Sequence, residues 1–193
     1  VIRGGSLSEP LLKELYKQVL AVGAFPTVWL DTSWAEESLL KLGSDEQVQY
    51  IHKPTALYYE TYDCLIRVLA EENTKYLNSI GSARYSMYTR SRGPLMKTYM
   101  DRTARGEMRW ALTLYPTNAY AQDADMSLSD YADFVYSACM PDQDDPVGYW
   151  KRVSARQERI IKWLDGKKKV HVVGKGTDLR LSIEGRKFIN CDC

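Results

Sequence analysis

Apolar positions in this chain change their period repeatedly. Leu12, Leu15, Val19 and Val22 recur at three- and four-residue steps behind Ser8, Glu9 and Pro10, and Gly23 closes the run. A cap, a first-turn proline and one apolar face predict an amphipathic helix. Val1-Ile2-Arg3 before it and Thr27-Val28-Trp29-Leu30 after it are short, β-rich runs that predict strands. Strand, helix and strand form the unit that builds a parallel sheet. Asp31-Thr32-Ser33 offers caps for a helix from Trp34 to Leu42, and Ser44-Asp45-Glu46 starts another segment that Pro54 interrupts. Cys64 to Leu69 supplies a third strand. Ser82 to Gly106 reads helical with a break at Gly93-Pro94, and Trp110 to Leu114 is the fourth strand.

Tyr115-Pro116 ends that strand, and Thr117 can cap a short helix. Ser127, with Asp130 three residues on, has the form of a capping box in which serine oxygen and carboxylate answer orphan backbone amides. Asp145-Pro146 starts a long helix whose apolar positions run from Val147 through Trp150, Val153, Ile160 and Ile161 to Leu164, with Gly166 as its stop. The pattern then changes. Val170 to Val173 and the alternating Leu179 to Ile183 predict a β-hairpin region, with Glu184-Gly185 as a compact turn into Lys187 to Cys191. The expected fold is therefore α/β: a mostly parallel sheet flanked by helices with right-handed crossovers, followed by the first hairpin of a second domain. A boundary near Lys167 divides residues 1–166 from residues 167–193. Val1-Ile2-Arg3 begins without a preceding turn and Phe188 to Cys191 stops as a strand-like run, which suggests a piece of a longer polypeptide.

Three segments carry a family resemblance. They are Pro116-Thr117 with Ala119, Ala121-Gln122 and Met126-Ser127; Asp145-Pro146 with Trp150, Ser154 and Gln157-Glu158-Arg159; and Gly174-Lys175-Gly176-Thr177-Asp178-Leu179 leading into Ile183-Glu184-Gly185-Arg186. In this order they resemble the thermophilic metallo-aminopeptidase family, typified by aminopeptidase T and aminopeptidase S, over essentially the whole chain. The resemblance implies the amino-terminal domain of an enzyme that removes the first residue of peptides. It also implies two divalent ions of the zinc, cobalt or magnesium type, held by glutamates, histidines, a tyrosine and an aspartate of a carboxy-terminal catalytic domain, and a homodimer. Those ligands follow the matched region. No catalytic, cofactor-binding or metal residue is therefore assigned here, no metal is expected in this stretch, and it is expected to be inactive alone.

Composition narrows the alternatives. With 26 basic and 25 acidic residues the net charge is +1, which gives no general attraction to nucleic acid or an anionic membrane. No run approaches the ~20 apolar residues of a membrane span. The first residues lack the layout of a signal peptide, so a cytoplasmic location is expected.

Other chemistry is weaker. Cys64, Cys139, Cys191 and Cys193 read as reduced thiols, Cys64 as a small hydrophobe, and Cys191-Asp192-Cys193 is an incomplete ligand set. His52 and His171, the only histidines, read as structural or surface groups. The acidic tract from Asp123 to Asp145 reads as a solvated face, since Asp130 and Asp145 serve helix starts. Arg84, Arg90, Arg92, Lys97, Arg102, Arg105 and Arg109 with Tyr85, Tyr88 and Tyr99 could form a groove for single strands, but solubility or pairing with the acidic tracts explains them more simply. Arg3-Gly4-Gly5-Ser6 between strand and helix offers an anion site or a tight crossover turn. Two alternatives to the peptidase follow: an α/β domain binding an anionic small molecule at Gly4-Gly5, and an interaction module presenting the Trp150 to Leu164 helix.

Overall fold

Four short strands set the frame: Ile2–Gly5 (β1), Val28–Asp31 (β2), Cys64–Leu69 (β3) and Arg109–Leu114 (β4). In the computed structural model, which describes residues 1–140 and 144–190, they form one parallel sheet in the order β2-β1-β3-β4. Register is continuous across it: Ile2 faces Val28 on one side and Ile66 on the other, and Ile66 faces Ala111. The chain divides into one compact unit of Val1–Asp133 and another from Phe134 onward. Lys167 lies inside the second.

Alternation along the strands sends successive side chains to opposite faces. On one face Ile2 and Val68 pack with Leu12 of helix Glu9–Ala21 (α1), joined by Leu11, Leu15, Val19 and Tyr115. On the other, Leu65 packs with Tyr58 and Met108, joined by Val1, Trp29, Tyr59, Tyr62 and Tyr99. Each such fully buried aliphatic group contributes roughly 1.5–3 kcal/mol. Tyr58 belongs to helix Lys53–Thr61 (α4), where Pro54 sits in the first turn rather than breaking a longer helix. Between β2 and α4 lie Ser33–Leu42 (α2) and Asp45–Gln49 (α3); Ser82–Ser91 (α5) and Gly93–Ala104 (α6) connect β3 to β4.

Three arginines, Arg84 on α5, Arg92 at the junction of α5 and α6, and Arg102 on α6, hold the helices of this second face together. Arg84 Nε donates to the Leu40 carbonyl at 2.5 Å and its Nη2 to that of Gly43, at the end of α2. Arg92 donates to the Val48 carbonyl of α3 at 3.0 Å, and Arg102 to the carbonyls of Tyr59 and Tyr62 at 3.0 and 2.9 Å. Terminal carbonyls of a helix lack intrahelical donors, and a cation there also meets the negative end of the helix dipole. Where solubility or pairing with the acidic tracts was expected, these three arginines bond backbone carbonyls, and Arg84 and Arg102 also pair with Asp45 and Glu107 rather than with the tract from Asp123 to Asp145.

Several sequence expectations hold with altered detail. Ser8 stands at the start of α1, but its hydroxyl donates back to the Gly5 carbonyl at 2.7 Å. Val22 is 81% exposed, outside the apolar face of α1. Thr117 caps Asn118–Asp123 (α7), accepting from the Tyr120 amide. Ahead of Leu128–Cys139 (α8), Ser127 Oγ accepts from the Asp130 amide at 3.1 Å, but the Asp130 carboxylate accepts from the serine hydroxyl rather than a backbone amide. An aspartate is one methylene shorter than the glutamate that usually closes the box.

In the second unit Asp145 caps Pro146–Leu164 (α9), accepting from the Gly148 amide at 2.8 Å. Trp150 Nε1 donates to the Cys139 carbonyl and Asn190 Nδ2 to Ser154. Lys169–Gly174 (β5) and Thr177–Ser182 (β6) form the expected antiparallel hairpin. Its reversal is at Lys175-Gly176, where Gly176 has φ +72°, a value that suits glycine. Lys187 to Asn190 join no ladder among the described residues.

Candidate functional site

The strand order places a switch point between β1 and β3: the chain leaves β1 toward β2 and returns on its other side. Open parallel sheets leave a crevice beyond the carboxyl ends of such strands. Here a cavity of about 820 Å³ occupies that place, wholly within the first unit. Its lining includes Arg3 and Arg67 from the sheet, Asp31 at the end of β2, Glu36 on α2, and Glu71 just past β3.

Arg3 and Arg67 are register partners, so both side chains leave the same face of the sheet. Tyr58 and Met108 fill that face at its amino-terminal end, and beyond them the two guanidiniums meet the cavity. Arg3 binds Asp31 through Nε and Nη2, both at 2.7 Å. Burial acts against the charge on Arg3, but Asp31 outweighs it and holds the guanidinium above its ordinary pKa. Arg67 has no hydrogen bond or ion pair among the described residues.

Opposite the sheet, the Tyr76 hydroxyl donates to Glu36 Oε2 at 2.7 Å. Burial and this bond raise the Tyr76 pKa, so the phenol remains a donor. Burial, then nearby Glu36, also raises Tyr88, whose ring carries the Arg92 guanidinium 3.5 Å from its centroid. The Glu71 amide donates to the Tyr120 hydroxyl at 3.2 Å, which fixes the backbone as it leaves β3. Its carboxyl is raised by burial and by Asp31 and Glu36, with Arg67 opposing. The arrangement can bind a small polar molecule by charge; among the described residues, no serine or threonine hydroxyl of its lining hydrogen-bonds a histidine or carboxylate.

Gly4 and Gly5 serve close packing. A Cβ on Gly4 would lie 2.8 Å from Ser8 Oγ and 2.9 Å from the Val68 carbonyl oxygen; one on Gly5 would lie 2.4 Å from the Ala70 carbonyl oxygen. That is the crossover-turn use of these glycines, although Gly5 also borders the cavity.

Other candidates resolve individually. His52 lines the cavity rim and packs edge-on to Tyr50, while His171 bonds Asp178 on the hairpin at 2.9 Å. Cys64 and Cys139 are free and exposed, so Cys64 does not act as a buried hydrophobe. Cys191 and Cys193, like Asp142, lie outside the described residues. Asp123 accepts from Thr74 and Lys75 rather than facing only solvent. Among the described residues, no group of three or more histidine, cysteine, aspartate or glutamate side chains is placed to hold a metal ion, and no helix is long and apolar enough to cross a membrane.

Sequence reasoning did not single out Arg67, Glu36 or Glu71. The available signal was a charged residue inside each of two otherwise apolar parallel strands, Arg3 in β1 and Arg67 in β3.

Comparison with known proteins gives two findings. A family described as thermophilic metalloprotease (M29) matches residues 1–193. Among solved structures, wild-type AmpT from Thermus thermophilus superposes with a TM-score of 0.73 at 14% identity, covering 94% of this chain and 47% of that one. The chain thus spans about half the length of that relative, and the likeness at this identity is one of fold. No curated protein matches the chain.

Proposed function

We propose, because this chain belongs to the thermophilic metalloprotease family, that it is the amino-terminal α/β portion of an aminopeptidase that releases the first residue of peptides. The observation that supports this reading is a family match along the full 193 residues, combined with a structural relative of roughly twice the length.

Metallopeptidase membership implies divalent metal, which when bound polarises the scissile carbonyl and activates water. The described residues do not fit a pair of such ions. On this reading the metals belong to a further catalytic domain. The α/β unit then walls one side of the cleft or steadies that domain, in a homodimer acting on peptides in the cytoplasm. The domain boundary near Lys167, after α9, belongs to the same proposal.

The test is metal-dependent release of leucine from leucinamide by the 193-residue chain, with zinc, cobalt and magnesium supplied in turn. The expected result is none. Release that persists after contaminating peptidase is excluded, and that requires the added metal, overturns the assignment of catalysis to another domain.

A further inference from the structure

The cavity at the β1/β3 switch point is lined by three charged side chains with no hydrogen bond or ion pair among the described residues: Arg67 and, just past β3, the neighbouring Glu71 and Glu72. The other charged groups of its lining are engaged: Arg3 by Asp31, Arg92 by the Val48 carbonyl and the Tyr88 ring, and Glu36 through one oxygen by Tyr76. Arg67 and Glu71 are four residues apart, Arg67 within β3 and Glu71 two residues past its end, and both line the cavity. Arg67 opposes the upward shift that burial and Asp31 give the Glu71 carboxyl.

On the same face of the sheet, the buried Tyr58 hydroxyl makes no hydrogen bond of good geometry, but the Arg3 guanidinium lies close enough to interact with it and Arg67 acts on it by charge. Aromatic and aliphatic side chains complete the cavity, Trp34 and Leu69 among them.

Charge balance selects the ligand. A simple anion attracted to Arg67 would also meet Asp31, Glu36, Glu71 and Glu72; a simple cation attracted to Glu71 would also meet Arg3, Arg67 and Arg92. A molecule carrying both charges a few bonds apart matches both ends without leaving either uncompensated.

We propose that this cavity binds a free α-amino acid as its zwitterion, the carboxylate on Arg67 and the ammonium on Glu71, with the ligand's side chain against the apolar wall. A planar guanidinium suits bidentate recognition of the carboxylate. This binding is independent of peptide hydrolysis: the chain can be inert toward leucinamide and still bind leucine, so the two readings fail separately.

Isothermal titration of the 193-residue chain with the common L-amino acids tests it, followed for the tightest ligand by its amide, which lacks the carboxylate, and its N-acetyl derivative, which lacks the ammonium. Inorganic phosphate is the simple-anion probe. Saturable binding of at least one amino acid is expected, with each derivative and phosphate at least about tenfold weaker. Arg67→Met and Glu71→Gln are each expected to weaken it by at least about tenfold, while Lys13→Met on α1 leaves it unchanged. Circular dichroism checks that each variant folds, and the derivative series decides the matter even if one does not. Absence of saturable binding to any amino acid up to about 10 mM, undiminished binding by a folded Arg67→Met chain, or equal affinity for a singly charged derivative or phosphate overturns the proposal.

Discussion

Arg3 and Arg67 stand in register on adjacent parallel strands, and only Arg3 has a carboxylate in contact. Asp31 therefore compensates one guanidinium and moderates the repulsion between two. Asp31→Asn is expected to destabilise the first unit by about 1–2 kcal/mol, a figure kept modest because both side chains remain about a third exposed, 29% and 34%. Urea denaturation of wild type and variant measures this. The double variant Arg3→Met with Asp31→Asn should recover part of the loss, because it removes the stranded charge along with its partner.

Glu71 yields a pH dependence of unusual sign. Burial first, then Asp31 and Glu36, holds its folded-state pKa above the ordinary carboxylate value. Such a group binds its proton more tightly folded than unfolded. Its contribution to stability is complete below the unfolded pKa and is lost as pH rises through the folded one. Glu71→Gln should therefore raise the melting temperature at pH 7 by about 1–2 °C, with the difference vanishing below about pH 4. A melting series across that range checks it, and an equal difference at both ends contradicts the sign.

Much of the frame was legible because local signals agreed with one another. The Cys64 to Leu69 strand, the break at Gly93-Pro94 and the Asp145 cap each rest on a short-range rule, and each is present. The hairpin strands were legible from alternation, but their reversal at Lys175-Gly176 was not distinguished from the turn at Glu184-Gly185. The cavity was less visible. Its charges come from strand interiors, a helix and a strand exit distant in sequence, and only the order β2-β1-β3 gathers Asp31, Arg3, Arg67 and Glu71 at one end of the sheet. The arginine-to-carbonyl bonds were illegible for the same reason: Arg84 and Leu40 are 44 residues apart.

The buried Tyr58 hydroxyl separates polarity from packing. Tyr58 is 1% exposed and stacks on Trp29 at 5.4 Å, yet its oxygen makes no hydrogen bond of good geometry and has only the nearby Arg3 guanidinium to interact with. Tyr58→Phe deletes only that oxygen and is expected to leave stability within about 1 kcal/mol or increase it. Tyr58→Ala removes the ring as well and should destabilise by about 3–5 kcal/mol. Chemical denaturation of both variants distinguishes these effects; a large loss in the phenylalanine variant would show that the hydroxyl is satisfied after all.

Gly4 tests how tightly α1 is held against the sheet. The added methyl in Gly4→Ala would meet Ser8 Oγ at 2.8 Å, the Val68 carbonyl at 2.9 Å and Leu12 Cδ2 at 3.1 Å. The serine can rotate, but the β3 backbone cannot yield without disturbing its ladder to β1. A loss of about 1–3 kcal/mol is expected, and Gly4→Ala with Ser8→Ala should recover only the serine's share.

Arg102 supplies the decisive comparison between charge and geometry. It is 11% exposed, and one of its nitrogens spans the carbonyls of Tyr59 and Tyr62 at the end of α4 while another reaches the Glu107 carbonyl at 3.3 Å. Lysine keeps the charge near the helix end but loses the planar fork that reaches these carbonyls together. If the carbonyl bonds dominate, Arg102→Lys should lose most of what Arg102→Met loses, about 2 kcal/mol. If attraction to the helix dipole dominates, lysine should retain nearly all the stability, since that term is only about 0.3–1 kcal/mol and depends on charge alone. Hydrogen exchange at the α4 amides gives a second reading: the carbonyl-bond account predicts faster exchange in the last turn of α4 in both variants, with the amides of α1 unchanged.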